Sequence, residues 1–94
     1  MPSQLYQPTF SILFPVFNGS RYLREALDTV LGQSFADYEL LICDDCSSDD
    51  SSQILAGYRD PRIQLIQHST NQGLFPTLNE LVSKAKGQIV RLWS

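Results

Sequence analysis

Apolar and polar residues follow one another along the chain in segments that predict four strands. Residues 10–14, which Pro15 ends, and residues 38–43 are mostly apolar, as expected for strands buried on both faces. Residues 62–67 instead alternate between polar and apolar side chains, which predicts a strand with one face in water. Residues 89–93 begin a fourth apolar strand.

Three helices are predicted between these strands. Ser20 precedes the first amphipathic segment and is predicted to be its N-cap. The second helix follows a polar stretch in which Asp50 and Gln53 have the spacing of a capping box. The third has an apolar face over residues 74–85, and Gly87 is predicted to lie just past its C-terminus.

Strands that alternate with helices indicate a parallel sheet with right-handed crossovers. The half-polar third strand belongs at an edge and the apolar first and second strands belong inside, which gives the order 3-2-1-4. The predicted fold class is therefore α/β, a three-layer sandwich that forms part of a doubly wound, Rossmann-like sheet. We assign residues 9–94 to one domain and residues 1–8 to an N-terminal extension, and we expect the domain to continue beyond this chain.

Composition and charge narrow the class of partner. With 43% hydrophobic and 18% charged residues, the chain is typical of folded globular proteins. A net charge of −3 argues against a nucleic-acid partner, which needs a basic face. The N-terminus has no secretory signal and no apolar run approaches a membrane span, so we expect a cytoplasmic location.

Two cysteines and one histidine need separate attention. Cys43 and Cys46 form a C-x-x-C, but one ends an apolar run and the other lies in an acidic loop, so we expect free thiols without a redox role. A zinc site needs four ligands, and His68 is the single histidine. Because His68 ends an edge strand, we expect it to be solvated rather than a ligand.

Candidate binding residues follow the first two strands. In open α/β sheets, ligands bind at the carboxyl ends of the strands, near the point where the strand order reverses. The loop after the first strand offers Pro15, Phe17 and Asn18, which could stack on a base and hydrogen-bond to it. The loop after the second strand offers Asp44 and Asp45, whose carboxylates accept hydrogen bonds from a base N–H or from ribose hydroxyls.

Each of these residues also has a structural explanation. Phe17 could pack in the core, and Asp49 and Asp50 are residue types that commonly cap helices. Asp44 and Asp45 are harder to explain in this way, because neighbouring carboxylates repel each other and need a partner or a task.

Three ordered motifs resemble one known family. The first spans residues 11–19 and continues to residue 35, and the second, residues 38–49, is an apolar strand followed by D-D-x-S-x-D. The third begins at residue 71 as N-x-G-L and ends as A-K-G-Q-I-V at residues 85–90. Together they resemble the opening of the inverting GT-A glycosyltransferases of family 2.

The resemblance implies roles for the candidate residues. Phe17 takes the place of a tyrosine that packs on the base, and Pro15 and Asn18 match the loop that lines the nucleotide. Asp45 matches the aspartate that reads the base, and Asp44 matches its neighbour, which shapes the acidic turn.

Two positions depart from the family pattern. Leu78 stands where the family often has an arginine, so a basic contact from the third helix is not expected. Cys46 replaces a common glycine or asparagine, and we expect a slightly different turn there.

The resemblance also implies the reaction and its cofactor. Family members use a nucleotide diphosphate sugar, here by resemblance a UDP-sugar, and an acceptor hydroxyl attacks the sugar with inversion. An Asp-x-Asp motif that binds a divalent metal (Mg or Mn) and the catalytic base are expected beyond Ser94. This chain is therefore expected to bind nucleotide weakly, to hold no metal and to lack catalysis.

The acceptor implied by the resemblance is a glycan or a lipid-linked glycan of unknown identity. Peripheral attachment of the parent enzyme at the inner face of a membrane is a further alternative.

Two other classes of protein are alternatives to a glycosyltransferase, and the sequence also predicts self-association. A receiver-like signalling domain would use the acidic pair for magnesium, but it needs a phosphoacceptor aspartate after the third strand. A non-catalytic nucleotide-binding or protein-interaction module is the second alternative. The apolar fourth strand, which has no further partner in this sequence, predicts self-association through its edge.

Overall fold

Four strands alternate with three helices in the computed structural model, which describes residues 7–34 and 37–93. The elements are β1 (Phe10–Val16), α1 (Ser20–Leu31), β2 (Tyr38–Asp44), α2 (Ser51–Ala56), β3 (Ile63–Gln67), α3 (Leu74–Lys84) and β4 (Ile89–Leu92). Most of the predicted N-terminal extension, Phe35 of the first motif and Ser94 lie outside the described residues. Among those residues, no helix is both long enough and apolar enough to span a bilayer.

The strands form one parallel sheet in the order β3-β2-β1-β4, which confirms the predicted order. β1 pairs with β2 along its whole length, from Phe10 opposite Tyr38 to Val16 opposite Asp44. The two strands therefore end side by side, and the loops that follow them leave the sheet at the same edge.

Each face of the sheet carries a core, as the predicted three-layer sandwich requires. On β2, Leu40 and Ile42 belong to the larger cluster, which α1 and α2 cover, whereas Leu41 and Cys43 pack with Leu81 of α3. Because both faces of β2 are covered, its sequence is apolar at nearly every position.

The N-terminus of α1 is capped by another segment of the chain. The prediction that Ser20 is the N-cap is wrong, because Gly19 occupies the cap position and makes no side-chain cap bond. The Ser20 N–H donates to Asp49 Oδ2 at 3.1 Å, and the Gly19 N–H donates to Ser51 Oγ at 3.1 Å. Hydrogen bonds from Ser51 and Ser20 lower the pKa of Asp49 to about 2, although burial acts in the opposite direction.

The predicted capping box of α2 is also wrong. In the described structure Asp50 makes no side-chain cap bond, and its backbone has φ −80° and ψ 7°. An N-cap residue needs a more extended backbone to turn its side chain back toward the helix. Asp49 instead supplies the side-chain acceptor at the start of α2, since its Oδ1 accepts the Ser51 N–H at 2.9 Å.

Gly87 allows the chain after α3 to approach the backbone of β1 closely, and it does not cap α3. α3 ends at Lys84, and Ala85 in the cap position is already extended, so the prediction of a glycine cap is wrong. A Cβ at Gly87 would lie 2.6 Å from the Ser11 backbone nitrogen, which leaves no room for a side chain against β1. The Gly87 N–H donates to Ser11 Oγ at 2.7 Å, and Ser11 Oγ donates to Glu39 Oε2 at 2.6 Å.

The two edges of the sheet are the more exposed strands. β3 lies at an edge of the sheet, as predicted, but the predicted alternation is wrong: Ile63 and Ile66 are half-buried against opposite cores, whereas Gln64, Leu65 and Gln67 are exposed. β4 pairs with β1 alone among the described strands, and the side chains of Ile89, Val90 and Leu92 are 44% to 55% exposed.

Candidate functional site

The loops that follow β1 and β2 are bound to each other at the carboxyl edge of the sheet. The Asp45 N–H donates to the Val16 carbonyl at 2.8 Å, which continues the strand pairing into the loops. The Asn18 N–H donates to Ser47 Oγ at 2.9 Å, and the Ser48 N–H donates to Asn18 Oδ1 at 2.8 Å. Asn18 has φ 53°, a left-handed conformation that asparagine adopts more easily than most residues.

A cavity of about 270 Å³ opens beside these loops. Three segments form its wall: the loop after β1, the start of the loop after β2, and the N-terminal part of α3 with the residues before it. Its lining residues are Pro15, Val16, Phe17, Asp45, Asn71, Gly73, Leu74 and Thr77.

Phe17 forms an exposed wall of this cavity. Its side chain is 55% exposed, so the alternative that it packs in the core is wrong. An exposed aromatic face beside a cavity can stack on a planar ligand.

Asp45 is buried and is held by three donors. Its Oδ1 accepts from His68 Nδ1 and from the Gln72 N–H, and its Oδ2 accepts from the Gly73 N–H, each at 2.8 Å. Burial raises the pKa of this carboxyl, but the hydrogen bonds from Gln72, His68 and Gly73 outweigh it and lower the pKa. Asp45 is therefore an ionised carboxylate fixed at the cavity.

Gly73 enables this arrangement. It has φ 94°, which side chains adopt only with strain, and it directly precedes α3. This conformation brings the N–H groups of Gln72 and Gly73 onto one carboxylate, and the positive end of the helix dipole adds to their effect.

His68 is buried, so the prediction of a solvated histidine is wrong. Its side chain is 6% exposed, with Nδ1 2.8 Å from Asp45 Oδ1 and Nε2 2.6 Å from Glu80 Oε1. Because both ring nitrogens face carboxylate oxygens, the imidazolium is the form of the ring that can donate to both, and we assign this form to His68. Hydrogen bonds to Asp45 and then to Glu80 raise the pKa of His68, whereas burial opposes them.

Asp44 stabilises the turn that follows β2. Its side chain is buried, and its Oδ1 accepts the Ser47 N–H at 3.1 Å. It is not among the residues that line the cavity. The positive charge of the His68 imidazolium, which lies against Asp45, offsets the repulsion expected between Asp44 and Asp45.

The two cysteines are free thiols. Cys43 is buried with its Sγ 3.5 Å from His68 Nε2, and burial, followed by the charges of Glu80, Asp45 and Asp44, raises the pKa of this thiol to about 11. Cys46 has φ 60°, the left-handed conformation that glycine and asparagine adopt most readily.

Among the described residues, one group of three metal-ligand types comes together, namely Cys43, His68 and Glu80. This group does not fit a hard cation such as Mg or Mn. Such cations prefer oxygen ligands, whereas this group offers a soft thiol and an imidazole whose two nitrogens already lie against carboxylates.

The structure separates the predicted residues into two sets. Pro15, Phe17 and Asp45 line the cavity, whereas Asn18 binds the two loops together beside it and Asp44 holds the turn within the second loop.

Sequence reasoning missed the other wall of the cavity, which Asn71, Gly73, Leu74 and Thr77 form. The motif N-x-G-L at residues 71–74 is the sequence signal for this wall, which lies outside the two loops after β1 and β2. The Asn71 side chain donates to the Asp45 carbonyl at 3.2 Å, which fixes this wall against the second loop.

The receiver-like alternative finds no support. β3 ends at Gln67 and is followed by His68, so no phosphoacceptor aspartate stands at its end.

Comparison with known proteins identifies the family. The model of Glycosyl transferase family 2 matches residues 11–93. EpsE of Bacillus subtilis (strain 168), which carries a provisional glycosyltransferase name, is 36% identical over 86 residues, or 88% of this chain and 31% of its own. TuaG of the same organism, which carries a provisional name as a teichuronic acid biosynthesis glycosyltransferase, is 32% identical over 90% of this chain and 34% of its own.

Solved structures agree with this assignment. The crystal structure of S. aureus TarS 1-349 in complex with UDP-GlcNAc matches with a TM-score of 0.83 and 31% identity, over 89% of this chain and 25% of that one. The chain thus spans about a third or less of the length of these relatives. Its strand order and layers are those of the GT-A fold. The chain belongs to glycosyl transferase family 2.

Proposed function

We propose that these residues form the nucleotide-binding half of a glycosyltransferase domain that transfers a sugar from a UDP-sugar to an acceptor hydroxyl with inversion. One observation carries the proposal: an ionised carboxylate, Asp45, is fixed in a cavity that the exposed ring of Phe17 borders. The UDP-GlcNAc complex of TarS supports the choice of donor class.

The cavity has the groups that a nucleobase requires. Phe17 stacks on the face of the base, and Asp45 accepts a ring N–H at the edge of the base. Asn18 and Asp44 act indirectly: Asn18 joins the two loops, and Asp44 holds the turn of the second loop, which begins with Asp45.

A divalent metal belongs to the proposed reaction of the complete domain. When bound, such a metal neutralises the charge that develops on the leaving diphosphate. The described residues do not fit it, because Asp45 is the one carboxylate among the residues that line the cavity and the Cys43, His68 and Glu80 group is unsuited to Mg or Mn. We therefore derive no step through a metal here, and we propose that residues 1–94 alone do not catalyse transfer.

A titration tests the proposal. UDP, CDP and GDP are added separately to the isotope-labelled protein while its amide signals are followed by NMR. We expect base-selective shifts at Phe17, Asn18 and Asp45, and an Asp45→Ala variant should lose them. Glu25→Gln, which removes an exposed carboxylate from α1, is the matched control and should bind like the wild type.

Folded protein that shows no shift with any of the three nucleotides at millimolar concentration would contradict the proposal. Equal binding by the Asp45→Ala variant would contradict the role of the carboxylate. A nucleotide-binding module without catalysis in its parent polypeptide is the second candidate, because the observations at Phe17 and Asp45 concern binding and not transfer. Sugar transfer by the parent polypeptide decides between the two.

Three further predictions remain. A cytoplasmic location and an acceptor of glycan or lipid-linked glycan type are predicted from the sequence and the resemblance. Self-association through β4 has a physical basis in its exposed apolar edge, where Val90 and Leu92 lie. A molar mass by light scattering that stays monomeric at every accessible concentration would contradict it.

A further inference from the structure

The hydroxyl of Thr77 is an exception to the hydrogen-bonding pattern of this fold. Thr77 is 1% exposed, and its Oγ1 has no hydrogen-bond partner among the described residues. A buried hydroxyl without a partner costs about 1–3 kcal/mol, and buried polar groups in native proteins are rarely left in this state.

The usual partner of such a hydroxyl is not used here. A threonine inside a helix commonly donates to the carbonyl four residues earlier, which for Thr77 is that of Gly73. The Gly73 carbonyl accepts the backbone N–H of Thr77 at 3.3 Å, but the hydroxyl makes no bond with it. The hydroxyl is therefore free to serve a ligand.

The position of Thr77 places that ligand in the cavity already described. Thr77 lines the cavity together with Asp45 and Phe17. Threonine in a helix uses two χ1 rotamers, and a rotation between them moves its hydroxyl to a different staggered position. The hydroxyl can thus turn toward a molecule in the cavity without movement of α3.

We propose that Thr77 is a specificity-determining residue whose hydroxyl donates to a carbonyl oxygen of the nucleobase, next to the ring N–H that Asp45 accepts. This proposal rests on the proposed function. Asp45 has the capacity for such a bond, because its contacts use three of its roughly four acceptor positions and leave one on Oδ2.

The pair selects bases by the pattern of donors and acceptors on their edge. An acceptor at Asp45 beside a donor at Thr77 fits a ring N–H beside a carbonyl, which uracil presents. Guanine presents the same pattern on a larger base. Cytosine has a lone pair at the corresponding ring nitrogen, which would face the Asp45 carboxylate and be repelled.

The test compares variants that differ in the hydroxyl alone. Thr77→Val removes the hydroxyl and keeps the shape, whereas Thr77→Ser keeps the hydroxyl. Dissociation constants of UDP, GDP and CDP are measured for the purified wild type and both variants by NMR titration, and their stabilities are measured by urea unfolding. The separate UDP and GDP titrations show which of the two bases the cavity admits.

We expect Thr77→Val to weaken the better bound of UDP and GDP by about fivefold to tenfold and CDP by less than about twofold. Thr77→Ser should bind within about twofold of the wild type. Thr77→Val should be at least as stable as the wild type, because it removes a buried hydroxyl that has no partner in the fold.

Unchanged UDP and GDP affinity in Thr77→Val would overturn the inference, and so would a loss of stability, since the hydroxyl would then serve the fold. Thr77→Ser against Thr77→Ala is a second pair that differs in the hydroxyl and gives the same comparison. If the wild type binds nucleotide and Asp45→Ala does not, while Thr77→Val binds normally, this inference alone fails. If the wild type binds none of the three nucleotides, the proposed function fails and this inference fails with it.

Discussion

Each end of α3 is held by a carboxylate, one from the loop after β2 and the other from β2 itself. The two ends differ in how much hydrogen-bonding capacity their polar groups leave unused. At the N-terminal end, Asp45 accepts the N–H groups of Gln72 and Gly73. Past the C-terminal end, Glu39 accepts the Lys86 N–H at 2.6 Å.

Two buried hydroxyls show the difference most directly. Ser11, near Glu39, donates to Glu39 Oε2 and accepts the Gly87 N–H, so its hydrogen-bonding capacity is used within the fold. Thr77, near Asp45, has no partner for its hydroxyl. A structural joint uses its polar groups completely, whereas a binding site retains some of them for a ligand.

The largest expected effect lies at the structural joint. Gly87→Ala would place a Cβ within 2.7 Å of backbone atoms of Phe10 and Ser11, which cannot move without breaking the pairing of β1. We expect a loss of about 3 kcal/mol in the free energy of unfolding, measured with urea. Gly57→Ala is the matched control, because its Cβ would lie 3.4 Å from the Ile54 carbonyl oxygen, an ordinary contact, and its backbone is compatible with alanine. Equal stability of the two variants would show that the close approach at Gly87 is not real.

A smaller effect separates the two carboxylates. Glu39→Ala leaves the Ser11 hydroxyl and the Lys86 N–H without their acceptor, so we expect a loss of about 1–2 kcal/mol in unfolding free energy. Its affinity for UDP should stay within about twofold of the wild type, whereas Asp45→Ala should lose affinity. Both quantities are measured on the same samples by urea unfolding and NMR titration. A large loss of UDP affinity in Glu39→Ala would remove the distinction between the two ends.

A third prediction concerns pH, because the binding end alone holds a buried imidazolium. Asp45, Glu80 and the Cys43 thiol face His68, and the pKa of His68 is raised by its hydrogen bonds to Asp45 and Glu80. Its folded-state pKa therefore lies above the unfolded value. The stabilisation is fully present below the unfolded pKa and is lost as pH rises through the folded pKa.

Urea unfolding from about pH 6 upward should show this decline in the wild type, since ordinary histidine titrates near pH 6.5. His68→Asn should remove the decline. The chain has one histidine, so an NMR titration of its ring gives the folded pKa directly. A His68 pKa at or below the ordinary value would contradict the assignment of an imidazolium.

Asp45 affects stability in the acid range instead. Because its folded-state pKa is lowered, its contribution to the free energy of unfolding is lost as pH falls through that pKa.

The strand order could be predicted because it follows from local composition. The apolar run in β2 reports that both of its faces are covered, and the higher polar content of β3 indicates an edge position, although its period of two is not that of the burial in the structure. The part of the site that lies directly after the strands, Phe17 and Asp45, could be found by the same logic.

The remaining part of the site depends on contacts between distant segments. Asp49 caps a helix that begins 29 residues earlier, and His68 is covered by Glu80, twelve residues further along. Local patterns assign a cap to the nearest suitable residue and exposure to an edge strand, so they gave Ser20 and a solvated His68. Thr77 carries no local signal, because a threonine on the buried face of a helix is ordinary until its missing partner is seen.

The carboxylate of Asp49 has a further consequence. Its two oxygens accept the N–H groups that begin α1 and α2, one at Ser20 and the other at Ser51. The first turns of these helices are thus fastened to a single rigid group, and neither can fray alone without disturbing the anchor of the other. The two helices should open as one cooperative unit, which couples the loop that carries Phe17 to the loop that carries Asp45.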